Sequence, residues 1–85
     1  MKLEAKFNAL ASQTRIDVVS FLLKGEMSVS EIAKKVDKSQ PNISIALEKL
    51  LNSGIILKER KGKFIFYRLK DTDKTKKIIE MVGKL

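Results

Sequence analysis

The sequence has no cysteine and no histidine. Disulfides, thiol chemistry, Cys/His zinc sites and imidazole acid–base catalysis are therefore excluded. Carboxylates alone can hold a hard cation, but Asp71 and Asp73 are the only close pair. Set among lysines, they read as a helix-capping turn, and no metal site is expected. Met1–Ala11 lacks the apolar core of a signal peptide. The longest apolar run, Val18 to Leu23, is interrupted by Ser20 and falls far short of the ~20 residues that span a bilayer. A cytoplasmic protein with no membrane partner is expected. There is no nucleophile–base pair and no glycine-rich phosphate loop, so an enzyme is the least favoured class and no cofactor is expected.

What is present is one small domain spanning residues 1–85. At 44% hydrophobic and 33% charged residues the chain is globular rather than disordered. A chain of this size buries only ~60–65% of its unfolded surface, so any apolar stripe left over invites a partner. The net charge is +8, and its placement matters more than its size. Residues 1–33 are balanced: Lys2, Lys6, Arg15 and Lys24 stand against Glu4, Asp17, Glu26 and Glu31. The remaining fourteen basic and six acidic groups all lie in residues 34–85. Such polarity favours a polyanion-facing surface over a generic lysine-rich coat.

The stretch SVSEIAKKVDKSQPNISIALEKLLNS, residues 28–53, predicts two short helices around a sharp corner. In the first, Val29, Ile32, Ala33 and Val36 recur at helical spacing, and Ser28 with Glu31 forms a capping box. The second starts at a new cap, Ser39, and carries Pro41 in its first turn, where the missing N–H costs nothing. Its apolar stripe is Ile43, Leu47, Leu50 and Leu51, and Gly54 stops it. Only Asp37 and Lys38 lie between. This is the pattern of a helix-turn-helix, whose second helix enters the DNA major groove.

Two helices are predicted before it. The first covers about Lys2 to Leu10 and the second Gln13 to Lys24, capped by Ser12 and stopped by Gly25. The second is apolar around more than half its circumference (Ile16, Val18, Val19, Leu22, Leu23), which places it centrally in the core. After Gly54 the period changes to that of strands, at Ile55–Leu57 and again over Lys63–Leu69. Glu59 to Gly62 connect them, with Gly62 free to supply a positive φ, although the register of the turn stays undecided. A closing helix from about Asp73 to Lys84 follows the cap Thr72 and presents Ile78, Ile79, Met81, Val82 and Leu85. The fold class is mostly α with a small β-hairpin. The order helix–helix–helix–helix–strand–strand–helix is a winged helix-turn-helix, its wing tipped by Arg60, Lys61 and Lys63.

Stepping 100° per residue along the second helix of the motif puts Asn42, Ile45 and Lys49 opposite the buried stripe. Ser39 and Gln40 stand at the N-terminal end, which enters the groove first. Gln40 and Asn42 have the strongest case as base readers, since Gln and Asn each pair bidentately with adenine and neither residue has a competing cap or core role. Ile45 can pack on a thymine methyl, Ser39 is first of all a cap, and Ser44 lies on the flank within reach of a phosphate. Lys34, Lys35, Lys38 and Lys49 flank the motif and suit backbone positioning. Arg60, Lys61 and Lys63 suit phosphate or minor-groove contact, against a plain alternative of edge protection for the hairpin.

Over Phe7 to Leu69 the chain resembles the ArsR-type winged-helix transcriptional repressors. Three segments carry the resemblance in order: FNALASQTRIDVVSFLLKGEMSVSEIA, SQPNISIALEKLLNSGII and GKFIFYRL. Arg15 stands at the arginine of the first motif. The chain also departs from the family. Ser28 and Ser30 occupy the segment where metal-sensing members carry two cysteines, and the last helix lacks the histidine of a second sensor type. The resemblance therefore implies a member without metal-responsive release. Ile45-Ala46 replaces the usual Arg-His pair, and Asp37 replaces a common turn glycine. The family's first and last helices form a two-fold dimer, which implies Leu3, Phe7, Leu10, Ile78, Ile79 and Val82 as the interface here.

The expected function is that of a sequence-specific double-stranded-DNA-binding regulator, a repressor acting as a homodimer on an inverted repeat. Two alternatives stay open. One is a non-specific architectural DNA binder, favoured by the lysine excess and Ile45-Ala46. The other is a protein-interaction module that keeps only the winged-helix shape.

Overall fold

The computed structural model describes residues 3–83, and the side chains of Leu3 and Phe7 lie outside what it describes. The helix ends expected at Lys2 and Lys84, and the apolar Leu85, also lie outside the described residues. Along the chain run α1 (Leu3–Ala9), α2 (Gln13–Leu22), β1 (Met27–Ser28), α3 (Val29–Val36), α4 (Gln40–Ser53), β2 (Ile56–Lys61), β3 (Phe64–Leu69) and α5 (Thr72–Gly83). The three strands form one antiparallel sheet in the order β1-β3-β2. The core gathers Leu10, Val18, Val19, Ile32, Ile43, Leu47, Leu50 and Ile56, all fully buried, and α4 packs against α1, α2, α3 and β2.

The corner between α3 and α4 is built from local chemistry. The Glu31 amide donates to the Ser28 hydroxyl at 3.3 Å, and the Ser28 amide donates back to Glu31 Oε1 at 3.0 Å, closing the capping box. Asp37 ends α3 in the left-handed region at φ 60°, which Asp tolerates better than most residues. Ser39 opens α4 by accepting from the Asn42 amide at 3.4 Å, with Pro41 in the first turn and Gly54 closing it at φ 80°. Substituting Ser28→Ala is expected to cost about 1 kcal/mol, seen as a lower urea midpoint at unchanged slope.

The capping box also carries a pH dependence. The hydrogen bond from the Ser28 amide, then the one from its side chain, holds the Glu31 carboxyl below its ordinary value. Because the folded carboxyl is the stronger acid, its stabilising effect is complete above the ordinary glutamate pKa. It is lost as pH falls through the folded value. Glu31→Gln is therefore expected to flatten that part of the melting-temperature profile between about pH 5 and about pH 3. An unchanged profile would show that Glu31 titrates alike in both states.

Several boundaries differ from expectation. The short strand β1 is absent from the sequence reading, and it pairs Met27 with Tyr67 and Ser28 with Phe66. An N-cap must be extended, and Ser28 (φ −79°, ψ 165°) uses that one conformation both to cap α3 and to join the sheet. The hairpin turn also moves. Lys61 pairs with Phe64, so Glu59 to Lys61 belong to the strand and the loop is Gly62-Lys63. Gly62 has φ 63° and Lys63 a negative φ, the pattern of a type II′ turn with glycine first. α2 ends at Leu22, with Leu23 as its cap, two residues before the expected Lys24.

Two caps are corrected as well. Ser12 sits at the N-cap of α2, but its hydroxyl makes no capping bond. The last helix begins at Thr72, and its cap is Asp71 rather than Thr72. Asp71 Oδ1 accepts from the Lys74 amide at 3.0 Å, and Asp is the stronger capping residue. No helix among the described residues is long and apolar enough to cross a membrane.

Candidate nucleic-acid interface

The surface of interest is the outer face of α4. Its inner face is spent on the core through Ile43, Ala46, Leu47 and Leu50, which leaves Gln40, Asn42, Ser44, Ile45 and Lys49 exposed. Ser39 is exposed too, though its hydroxyl is committed to the cap. Ala46 turns inward, so of the pair Ile45-Ala46 only Ile45 faces out, 60% exposed. Toward its N-terminal end this face presents the polar side chains of Gln40 and Asn42. Lys34, Lys35 and Lys38 are exposed along α3 and the corner.

A shallow groove of about 240 Å³ joins this face to the start of α2. It brings Lys38, Asn42, Ile45 and Lys49 together with Ser12, Thr14 and Arg15. The sequence reading did not place Ser12 or Thr14 at the site. The uncommitted Ser12 hydroxyl thus lies beside the motif with hydrogen-bonding capacity to spare. Arg15, the arginine of the first motif, has a structural use: its guanidinium donates to the carbonyls of Ala9 and Asn8, closing the end of α1.

On the wing, Arg60, Lys61 and Lys63 are all exposed, but their commitments differ. Arg60 Nε donates to the Gly62 carbonyl at 3.3 Å, folding back over the turn. The Lys61 ammonium pairs with Glu26 at 2.5 Å and lies 5.6 Å from the centre of the Phe66 ring. The bond to Glu26 holds the Lys61 pKa above its ordinary value. That pair ties the base of the wing tip to the loop before β1. Lys63 lies in the turn itself.

The candidate dimer surface is smaller than expected. Leu10 is 0% and Ile78 3% exposed, both inside the chain's own core, so neither has area left for a partner. Ile79 and Val82 are half-buried, and Met81, not among the interface candidates, is 47% exposed beside them on α5. Leu3 and Phe7 lie on α1 with side chains outside the described part.

Comparison with known proteins agrees with this architecture. The model of the bacterial regulatory protein arsR family matches residues 12–58. The arsenical resistance operon repressor of Escherichia coli (strain K12) is 41% identical over 64 residues, covering 74% of this chain and 55% of that repressor. The chain thus spans 50–60% of the length of several curated relatives it matches. The crystal structure of the transcriptional repressor BigR from Xylella fastidiosa superimposes with TM-score 0.79 at 33% identity, covering 96% of this chain and 80% of BigR. A homodimeric winged helix-turn-helix DNA-binding domain from Mycobacterium bovis, solved in solution, gives TM-score 0.80 at 25% identity over 91% of this chain and 73% of its own. With more than half of its residues inside the family match and a winged helix-turn-helix fold, the chain belongs to the arsR family of bacterial regulatory proteins.

Proposed function

We propose that this chain binds double-stranded DNA as a homodimer on an inverted repeat and represses transcription from that site. The observation that carries the reading is the N-terminal end of α4. Gln40 and Asn42 stand exposed there with no core or cap role for their side chains, in the segment 34–85 that holds the entire net positive charge. In this role Gln40 and Asn42 read adenine edges and Ile45 packs on a thymine methyl. Ser44, Lys34, Lys35, Lys38 and Lys49 hold phosphates, joined by Ser12 and Thr14 across the groove, while Ser39 caps the helix and Lys63 and Arg60 follow the backbone from the wing. Ile79, Met81 and Val82 supply apolar surface for pairing. A two-fold pair places its recognition helices about 34–36 Å apart, one turn of DNA. Such a protein works in the cytoplasm, where its DNA is.

The test is selection of randomised duplex DNA at near-physiological salt, followed by sequencing of what is retained. An inverted repeat with half-sites about one turn apart supports the reading. A second reading, non-specific architectural binding, is favoured by the inward turn of Ala46, which leaves few base readers. It yields retention without an enriched motif. In either case, if about 6 phosphates are neutralised per subunit, affinity is expected to fall with salt at a log–log slope of about −5. A slope near zero would mean that the basic segment 34–85 does not face phosphates.

A further inference from the structure

At the opposite end of α4 from its groove-facing tip lies a pocket of about 310 Å³. It is lined by Lys6 of α1, Gly54 and Ile55 at the α4–β2 junction, and Lys70, Lys74 and Thr75 around the start of α5. Three lysines from two stretches of chain line the pocket with one carboxylate, Asp71, which already caps α5. Burial, then the neighbouring charges of Lys74 and Lys70, lower the Lys6 pKa, with Asp71 opposing only in part. Thr75 is just 4% exposed and lines the same pocket, yet its hydroxyl has no hydrogen-bond partner among the described residues.

The position excludes a DNA phosphate as the natural occupant. A helix of 14 residues is about 21 Å long, so the pocket is that far from Ser39 and Gln40. The wing likewise starts here and points away, since β2 begins at Ile56 and its tip lies six residues on. What the pocket does touch is the hinge between recognition helix and wing. The Ile55 amide donates to the Leu50 carbonyl, and the Ile55 carbonyl accepts from the Lys70 amide at 3.0 Å.

We propose that this pocket binds a small phosphate-bearing anion, held by Lys6, Lys70, Lys74 and the Thr75 hydroxyl, and that its occupancy sets how the recognition helix and wing are held relative to each other. The charge matches: three lysines less Asp71 leave two positive charges, and a phosphate group carries about −1.5 to −2 at neutral pH. Lysines suit phosphate as compact point charges, and the volume lies at the small end of ligand pockets, which fits inorganic phosphate or a small phosphomonoester. The second half of the proposal rests on the DNA-binding reading, but the first does not.

The test is a nuclear magnetic resonance titration of the full chain with inorganic phosphate and, separately, glycerol 3-phosphate, against chloride at equal ionic strength. Saturable movement of the Gly54, Ile55, Lys70 and Thr75 amides is expected with both phosphates or with one, which identifies the preferred source. The Lys70→Ala/Lys74→Ala variant is expected to weaken binding about tenfold or more, whereas Lys76→Ala/Lys77→Ala, which removes equal charge outside the pocket, leaves it unchanged. Thr75→Val is expected to weaken it severalfold in a folded protein. Shifts concentrated on Gln40–Lys49 and the wing, or equal loss in both lysine pairs, would overturn the site. Selected duplex DNA then tests the hinge. Its affinity is expected to respond to phosphate in the wild type beyond the chloride control and not in Lys70→Ala/Lys74→Ala. An identical response in the two overturns the coupling and leaves DNA binding itself untouched.

Discussion

Leu47→Ala is expected to lower the unfolding free energy by about 3 kcal/mol, with a midpoint in urea that moves at unchanged slope. Leu47 is 1% exposed and sits mid-helix between Ile43 and Leu50 on the stripe that α4 presents to the core. Truncation there loses the transfer energy of three carbons and leaves a cavity that the surrounding helices refill only in part. A domain of this size has a total stability of about 4–13 kcal/mol, so a large share goes with one side chain. The melting temperature should fall by more than about 10 °C. Lys49→Ala, two residues away on the exposed face, should stay within about 0.5 kcal/mol. A loss at Leu47 below about 1 kcal/mol would mean that α4 is not the centre of this core. The effect on DNA binding should then come only through the folded fraction. Below its melting temperature the variant should bind as tightly as the wild type.

Most of that inner stripe is legible in the sequence, because helical periodicity reports burial directly: Ile43, Leu47 and Leu50 are placed by it, Ala46 is not, and Leu51 is only partly buried. Also legible are the caps at Ser28 and Ser39, the stop at Gly54 and the left-handed Asp37, since each depends on residues within four positions of one another. What escaped depends on distant partners or on choices between near-equal neighbours. β1 is two residues long and exists only because Tyr67 and Phe66 come alongside. The turn at Gly62-Lys63 is fixed by cross-strand pairing, not by the local residues, which suit either register. Asp71 and Thr72 are both capping residues, and the chain uses the stronger. At the interface, helical stepping found the exposed face of α4 but not the groove that adds Ser12 and Thr14 from 30 residues away. Nor does sequence spacing reveal that Lys61 meets Glu26 across 35 positions. The dimer candidates show the opposite error. A stripe such as Leu10 and Ile78 reads the same whether it faces a partner or the chain's own core, and here it faces the core.

The outer face of α4 gives the largest functional expectation. Gln40→Ala/Asn42→Ala should weaken binding to the selected inverted repeat by roughly 2–6 kcal/mol, since each bidentate adenine contact contributes about 1–3 kcal/mol of discrimination. Affinity for unrelated duplex should hardly change, because the phosphate contacts that supply it are made by other residues. Both side chains are exposed and alanine is a good helix former, so the fold should survive, and Ser39 is kept because α4 needs its cap. The contrasting variant is Lys38→Ala/Lys49→Ala, which should weaken all sequences alike and shrink the salt slope by about 2. Titrations of both variants on specific and unrelated DNA across a salt series separate the cases. If Gln40→Ala/Asn42→Ala lowers both affinities together, α4 holds backbone rather than bases and the architectural reading gains. If neither variant changes anything, the exposed face of α4 does not meet DNA, and the winged-helix shape serves a protein partner instead.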